Sequence, residues 1–227
     1  QLLASELSWV GLGQSVLLIA ALWLAWQSYA WLGTMVDLDD GVVRLAMLLV
    51  MGGMLAAALT VPDAFGDEAV LFAAAYAFVR VLQLVLFGIA ARGIAGMFRS
   101  ILNLALGGIV GPTIVLVGAV SGWGPLEAWW AGALLSEYGW YLMMDVSGIR
   151  VSPGHFSERH GLIFIIALGE AVISIGIGAS GLTTDSKVLI PSLLGLGIIV
   201  AMWWTYFDVN ALVAERRLRA LSGVSQV

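Results

Sequence analysis

The stretch AVLFAAAYAFVRVLQLVLFGIAA, residues 69–91, runs for 23 positions with a single charge, Arg80, at its centre. An α-helix rises about 1.5 Å per residue, so this run matches the ~30 Å hydrocarbon core of a bilayer. A soluble core helix of that length would show a polar face, and this one shows none. Before it lies Pro62-Asp63-Ala64-Phe65-Gly66-Asp67-Glu68, a break that combines a missing backbone donor with three carboxylates. The reading is a transmembrane helix carrying a buried arginine.

Composition extends this reading to the whole chain. Its 227 residues are 61% hydrophobic and 11% charged, with mean hydropathy +0.99. Soluble domains carry about 25% charged residues, so this chain cannot clothe a water-exposed surface. Disorder, a basic nucleic-acid module and a coiled coil are excluded on the same grounds. No cysteine occurs, which removes disulfides, thiolate metal sites and cysteine nucleophiles. No cofactor is expected.

Seven spans follow, at about 14–36, 42–61, 69–91, 99–120, 128–145, 160–180 and 188–211. The expected fold is all-α, a polytopic helical bundle forming one transmembrane domain over 1–227. Segment 1–13 is short and Gly-rich and is left outside the spans. Pro191 is expected in the first turn of the seventh, where a missing N–H costs little. Alternating ten-residue segments, the mark of a β-barrel, are absent.

Arg44, Arg92, Arg99, Arg150, Arg159, Arg216, Arg217 and Arg219 fall on one side of these spans, and Lys187 alone on the other. The basic side is expected to be cytoplasmic, with the C-terminus inside. Gly107 and Gly111 form a GxxxG step and Gly132 and Ser136 a small-xxx-small step. With Gly176/Gly178 and Gly195/Gly197, they read as close helix packing. Trp9, Trp31, Trp123, Trp129 and Trp130 read as an interfacial belt.

Ionisable groups within a span cost at least about 2.5–3.5 kcal/mol each on insertion scales and call for a reason. Arg80, Glu137 and Glu170 all fall near mid-span and so at one expected depth. Tyr76 and Gln83 share the stripe of Arg80, Ser174 lies one turn from Glu170, and Glu137 is stacked with Trp140 and Tyr141. One cation facing two carboxylates leaves an excess negative charge, which a shared proton would remove. Such a proton suits a transporter or ion path carrying protons or a small solute. The plainer alternative is a structural ion pair of Arg80 with one acid. Asp208, near the inner end of the seventh span, reads as solvated or within reach of Arg159.

A second constellation is Ser152-Pro153-Gly154-His155-Phe156-Ser157-Glu158-Arg159-His160-Gly161. His155 and His160 are five residues apart, a spacing that does not converge on a metal, so no metal site is expected. Zinc-protease, phosphate-loop and nucleophile-elbow motifs do not occur. A retinal Schiff base would need a lysine in the last span, and Lys187 lies in a loop.

The run from Glu158 to Glu170 resembles the signature of the bacterial low temperature requirement A (LtrA) family, approximately His-x-x-Glu-Arg-x-Gly-Leu-x-x-Ile-Ile-x-Leu-Gly-Glu. His155, Glu158, Arg159, Gly161, Leu162, Ile165, Ile166, Leu168, Gly169 and Glu170 fit it. Residues 26–40 and Val61-Pro62-Asp63-Ala64-Phe65-Gly66 are similar to that family as well. The resemblance implies a multi-pass protein of the bacterial inner membrane and a link to growth in the cold, without naming an activity or substrate. Family members usually open with a Glu-x-x-Phe-Asp-Leu-Val segment and continue with further helices. This chain is therefore expected to be a fragment lacking both.

The leading functional expectation is secondary transport or proton/ion conduction. In it Glu170 carries the proton, Arg80 tunes it, and Glu158–Arg159 latch the cytoplasmic side. The alternatives are a membrane enzyme acting on lipid headgroups near His155, and a sensor or scaffold without catalysis. The lipid bilayer is the expected partner, nucleic acid is not, and oligomeric state is left open.

Overall fold

The computed structural model describes residues 8–36, 39–90, 97–143, 153–183 and 185–210, with side chains 97–102, 104, 153–157, 209 and 210 left out. Within these residues the chain is helical and has no strand. In chain order the α-helices are α1 Trp9–Leu32, α2 Gly41–Thr60, α3 Ala69–Ala90, α4 Met97–Ser121, α5 Leu126–Met143, α6 Pro153–Ala179 and α7 Ser186–Trp204. A 3₁₀ turn, Val61–Asp63, follows α2, and a π-helical turn, Thr205–Asn210, follows α7.

Local chemistry sets the boundaries. Ser8 Oγ accepts the Gly11 N–H at 3.0 Å, so α1 begins at Trp9 rather than near 14; a side-chain cap outweighs the helix cost of Gly11 and Gly13. Asp40 caps α2 by accepting from Val42 and Val43 at 2.7 and 3.2 Å. Asp63 accepts the N–H groups of Asp67 and Glu68 at 2.8 and 3.3 Å, at the entry to α3. Gly122 and Gly124, with φ of +64° and +67°, turn the chain between α4 and α5. Asp185 accepts from Lys187 and Val188 at 2.9 and 3.3 Å. That cap starts α7 at Ser186, which places Pro191 in the second turn rather than the first.

Among the described residues, five helical segments are long and apolar enough to cross a membrane: Trp9–Leu32, Gly41–Asp63, Ala69–Ala90, Glu158–Ala179 and Ser186–Asp208. Within α4, Ala105–Ser121 is a shorter apolar run. Helix α5 is among the more polar of these helices because it carries Glu127, Glu137 and several Trp and Tyr residues. It buries Glu137 and Trp130 against its neighbours and leaves Tyr138 and Trp140 exposed.

The chain divides into two compact units, Gln1–Arg150 and Val151–Val227. In the first, α3 is central. It packs against α1, α2 and α4, and α5 packs against α4 and α1. Half of α3's spanning window is buried, against 28% for α1 and 17% for α2. Gln14 Nε2 donates to Glu127 Oε1 at 2.8 Å, tying α1 to the first turn of α5. Two apolar clusters fill this unit. One gathers Leu18, Leu24, Phe72, Tyr76, Val115 and Trp130. The other gathers Leu32, Val43, Leu86 and Phe87.

Trp130 therefore is not part of the interfacial belt. It is 1% exposed and packs against Phe72 and, edge-on, against Tyr76 at ring-centroid distances of 5.3 and 5.4 Å. Chain distance from the loop placed it at the interface, but its helical face points to the core. Trp9 and Trp123 are well exposed.

The second unit is the α6–α7 pair. Gly195 lies against Ile175, whereas Gly176, Gly178 and Gly197 have open space where a Cβ would stand. Phe164 stacks on Tyr206 at 4.2 Å, and Phe207 meets Phe164, Trp203 and Tyr206 edge-on or tilted. Neither spanning window in this unit is buried, so its outward Leu, Ile and Val side chains suit a lipid surround.

Candidate functional site

On α3 the i, i+4, i+7 stripe of Tyr76, Arg80 and Gln83 points into the first unit, and each of the three is at most 2% exposed. Arg80 Nη2 donates to Glu137 Oε2 of α5 at 2.7 Å, and both side chains are 1% exposed. Arg80 Nη1 donates to Gln83 Oε1 at 2.7 Å and to Ser28 Oγ of α1 at 3.0 Å. The adjacent Tyr29 donates from Oη to the Val79 carbonyl at 2.7 Å. Tyr141, one turn beyond Glu137, brings its hydroxyl beside the guanidinium. Three helices thus meet at one cation.

The fourth, α4, contributes by what it lacks. A Cβ at Gly111 would collide with the Glu137 carboxylate, and one at Gly107 would collide with the Trp140 indole. The GxxxG step is therefore a packing seam with a specific purpose: it lets the carboxylate lie against bare backbone. Gly108 lies close by, with its Cβ position 3.6 Å from Arg80 Nη2. Pro112, inside α4, has no N–H to bond the Gly108 carbonyl, which loosens the backbone polarity next to the ion pair. By contrast Gly132 has nothing within 4 Å of its Cβ position.

The energetics follow from burial. Two opposite charges deep in an apolar unit cost several kcal/mol each in lost hydration, offset by their attraction and by the added hydrogen bonds. Tyr76 Oη and Arg80 Nε are buried without a hydrogen-bond acceptor or donor at suitable geometry among the described residues. Each such orphan costs about 1–3 kcal/mol. The apolar clusters stand on either side of the layer: the first holds residues toward the N-terminal half of α3, the second residues toward its C-terminal end.

In the first unit, then, one cation meets one carboxylate, and the pair is neutral. Glu170 and Ser174 belong to α6 of the second unit, a turn apart, and both are exposed. In the cytoplasmic motif, Glu158 is exposed, Arg159 and His160 are half-buried, and the His155 side chain lies outside the described residues. Gly161 is buried and admits the Phe207 ring, whose Cε1 lies 3.6 Å from its Cβ position. Gly169 is exposed. Asp208 is exposed within the π-helical turn. Lys187 lines an open groove of about 290 Å³ with Ile175, Pro191 and Ser192.

Sequence reasoning alone did not find Ser28, Tyr29 or Pro112. The first two sit in an apolar span as ordinary small and aromatic residues, and their role appears only when α1 meets α3. The Gly107-Gly108-x-x-Gly111-Pro112 run was the available signal for a helix built to approach a polar group.

A sequence profile described as bacterial low temperature requirement A protein matches residues 1–226. An uncharacterized protein of Rhizobium meliloti (strain 1021) is 30% identical over 208 residues, covering 86% of this chain and 50% of that protein. The chain spans about half the length of that relative. No solved structure matches it.

Proposed function

We propose, for a chain that belongs to the bacterial low temperature requirement A family, that it works as a secondary transporter or a proton/ion-conducting membrane protein built on the Arg80–Glu137 layer. The observation that carries this reading is a fully buried ion pair at 2.7 Å, held where α1, α3 and α5 meet and flanked by two apolar clusters. A spanning helix gains nothing in lipid from a charge it must desolvate, and intramembrane ionisable residues mark ion and proton pathways. Glu137 is the group that exchanges a proton, and Arg80 holds its charge in place. In the second unit, Glu170 is a further proton-carrying carboxylate and Glu158–Arg159 form the cytoplasmic latch. The protein resides in the bacterial inner membrane with its C-terminus in the cytoplasm, as its arginine distribution favours.

The test is flux. The full-length protein is reconstituted in liposomes loaded with a pH-sensitive dye, and an ion or pH gradient is imposed. Glu137→Gln and Arg80→Gln are expected to lower protein-dependent flux at least tenfold, with Glu170→Gln lowering it as well. Flux unchanged in both layer variants would make the pair a structural brace and overturn the reading.

A further inference from the structure

Within the charge layer, two buried donors make no hydrogen bond, Arg80 Nε and Tyr76 Oη. Arg80 donates from Nη1 to Ser28 and Gln83 and from Nη2 to Glu137, with the Tyr141 hydroxyl also beside the guanidinium, and its Nε–H makes no hydrogen bond. Tyr76, one helical turn away on the same stripe, has its O–H unpaired. Both side chains are at least 98% buried. Deep burial of two unpaired donors beside a fixed positive charge leaves hydrogen-bonding capacity that a small acceptor would satisfy.

We propose that Arg80 Nε–H and Tyr76 O–H bind a small monovalent anion of the size of nitrate or a halide, and that it enters together with one proton on Glu137. This deepens the transport reading above and rests on it. The argument is charge balance in a poor dielectric. With Arg80 cationic and Glu137 ionised, the layer is neutral. Adding an anion alone makes it −1, and protonating Glu137 alone makes it +1. Either state places an uncompensated charge in an apolar interior, which is the costly case. Adding both returns the layer to zero. The proton leaves solvent and bonds to a Glu137 carboxylate oxygen, ending that group's ionic bond to Nη2, and the anion replaces it as the counter-charge of Arg80. Empty and doubly loaded states are both neutral, so the two ions move as a pair.

The surroundings support the coupling. The other titratable groups facing Glu137 and Arg80 are phenols: Tyr29 from α1, Tyr76 on α3, and Tyr138 and Tyr141 on α5. The residues of α4 that press on the pair, Gly108 and Gly111, carry no titratable side chain. Among the described residues of this unit, no second carboxylate competes for the proton at the layer.

The experiment reads binding separately from flux. Purified full-length protein in lipid nanodiscs, in weakly buffered solution, is titrated with sodium nitrate while bound nitrate and proton uptake are both followed. The protonated-carboxyl infrared band is recorded in parallel. Wild type is expected to take up about one proton per nitrate and to gain a carboxyl band that Glu137→Gln lacks. Glu137→Gln should bind nitrate without proton uptake and with no dependence on pH. Tyr76→Phe, which keeps the ring and the packing, should bind about tenfold more weakly, the effect of one lost hydrogen bond to a charged group. Nitrate uptake without protons in wild type, or affinity unchanged in Tyr76→Phe, would overturn the proposal. Proton flux in liposomes that persists with no anion dependence would overturn it too, assigning the acceptor position to water while leaving proton conduction standing. Proton-linked nitrate binding without any flux would support the site and remove the transport reading.

Discussion

Removing one side of the Arg80–Glu137 pair leaves the other charge buried alone, and this asymmetry makes the pair testable as a structural feature. Arg80→Ala or Glu137→Ala is expected to destabilise the protein by about 3–5 kcal/mol. The double replacement Arg80→Met with Glu137→Leu removes both charges and restores apolar volume, so it should recover most of that loss. Denaturation in mixed micelles followed by circular dichroism would measure it, and a double variant as unstable as either single one would refute the charge argument. At this scale the sequence was legible in part. Arg80 and Glu137 stood out because charge is rare in these spans. Ser28 and Tyr29 did not, since a serine or tyrosine in a membrane helix is unremarkable until its partner is known.

Helices α4 and α5 meet through specific glycines, and their tolerance should differ sharply. Gly111→Ala would drive a methyl group into the Glu137 carboxylate. It should cost about 1–3 kcal/mol, as overpacking usually does, and should lower any activity that depends on Glu137. Gly132→Ala, with open space at its Cβ position, is expected to be neutral or slightly stabilising, since alanine favours helix by up to about 1 kcal/mol. Equal behaviour of the two in the same denaturation assay would contradict the packing seam. Caps are local in the same way: Asp40→Ala should cost about 1 kcal/mol by freeing the Val42 and Val43 N–H groups. Helix existence was readable from length and breaks. Helix starts were less so, because Ser8, Asp40 and Asp185 act through backbone geometry that hydropathy does not register.

The whole molecule is a set of apolar helices whose loops carry its orientation. The chain has no cysteine, so single cysteines report position without background. Cysteine at Asp67 or Trp123 is expected to react in intact cells with a membrane-impermeant maleimide. Cysteine at Asp39 should react only after the inner membrane is opened. The reverse pattern would invert the topology drawn from the arginine count. The α6–α7 unit, unburied along both spanning windows, should require lipid or detergent to stay dispersed. The exposed Glu170 on it makes Glu170→Leu an informative variant for stability in micelles, expected to be neutral there.

The sequence by itself determined that this chain is an all-α membrane protein of long apolar helices, and it singled out Arg80 and Glu137 as charges needing a reason. Backbone groups in hydrocarbon must bond within one helix, and that requirement writes itself as long apolar runs between polar breaks. What only the tertiary structure decided is which faces meet. These spans are apolar all round, so no periodicity marks an interior side, and Trp130 and Gly132 could not be assigned by pattern. Contact selects one carboxylate partner for Arg80 in the first unit because Gly111 lets the Glu137 carboxylate lie against α4 beside the guanidinium. Close packing distinguishes glycines that a composition count treats alike.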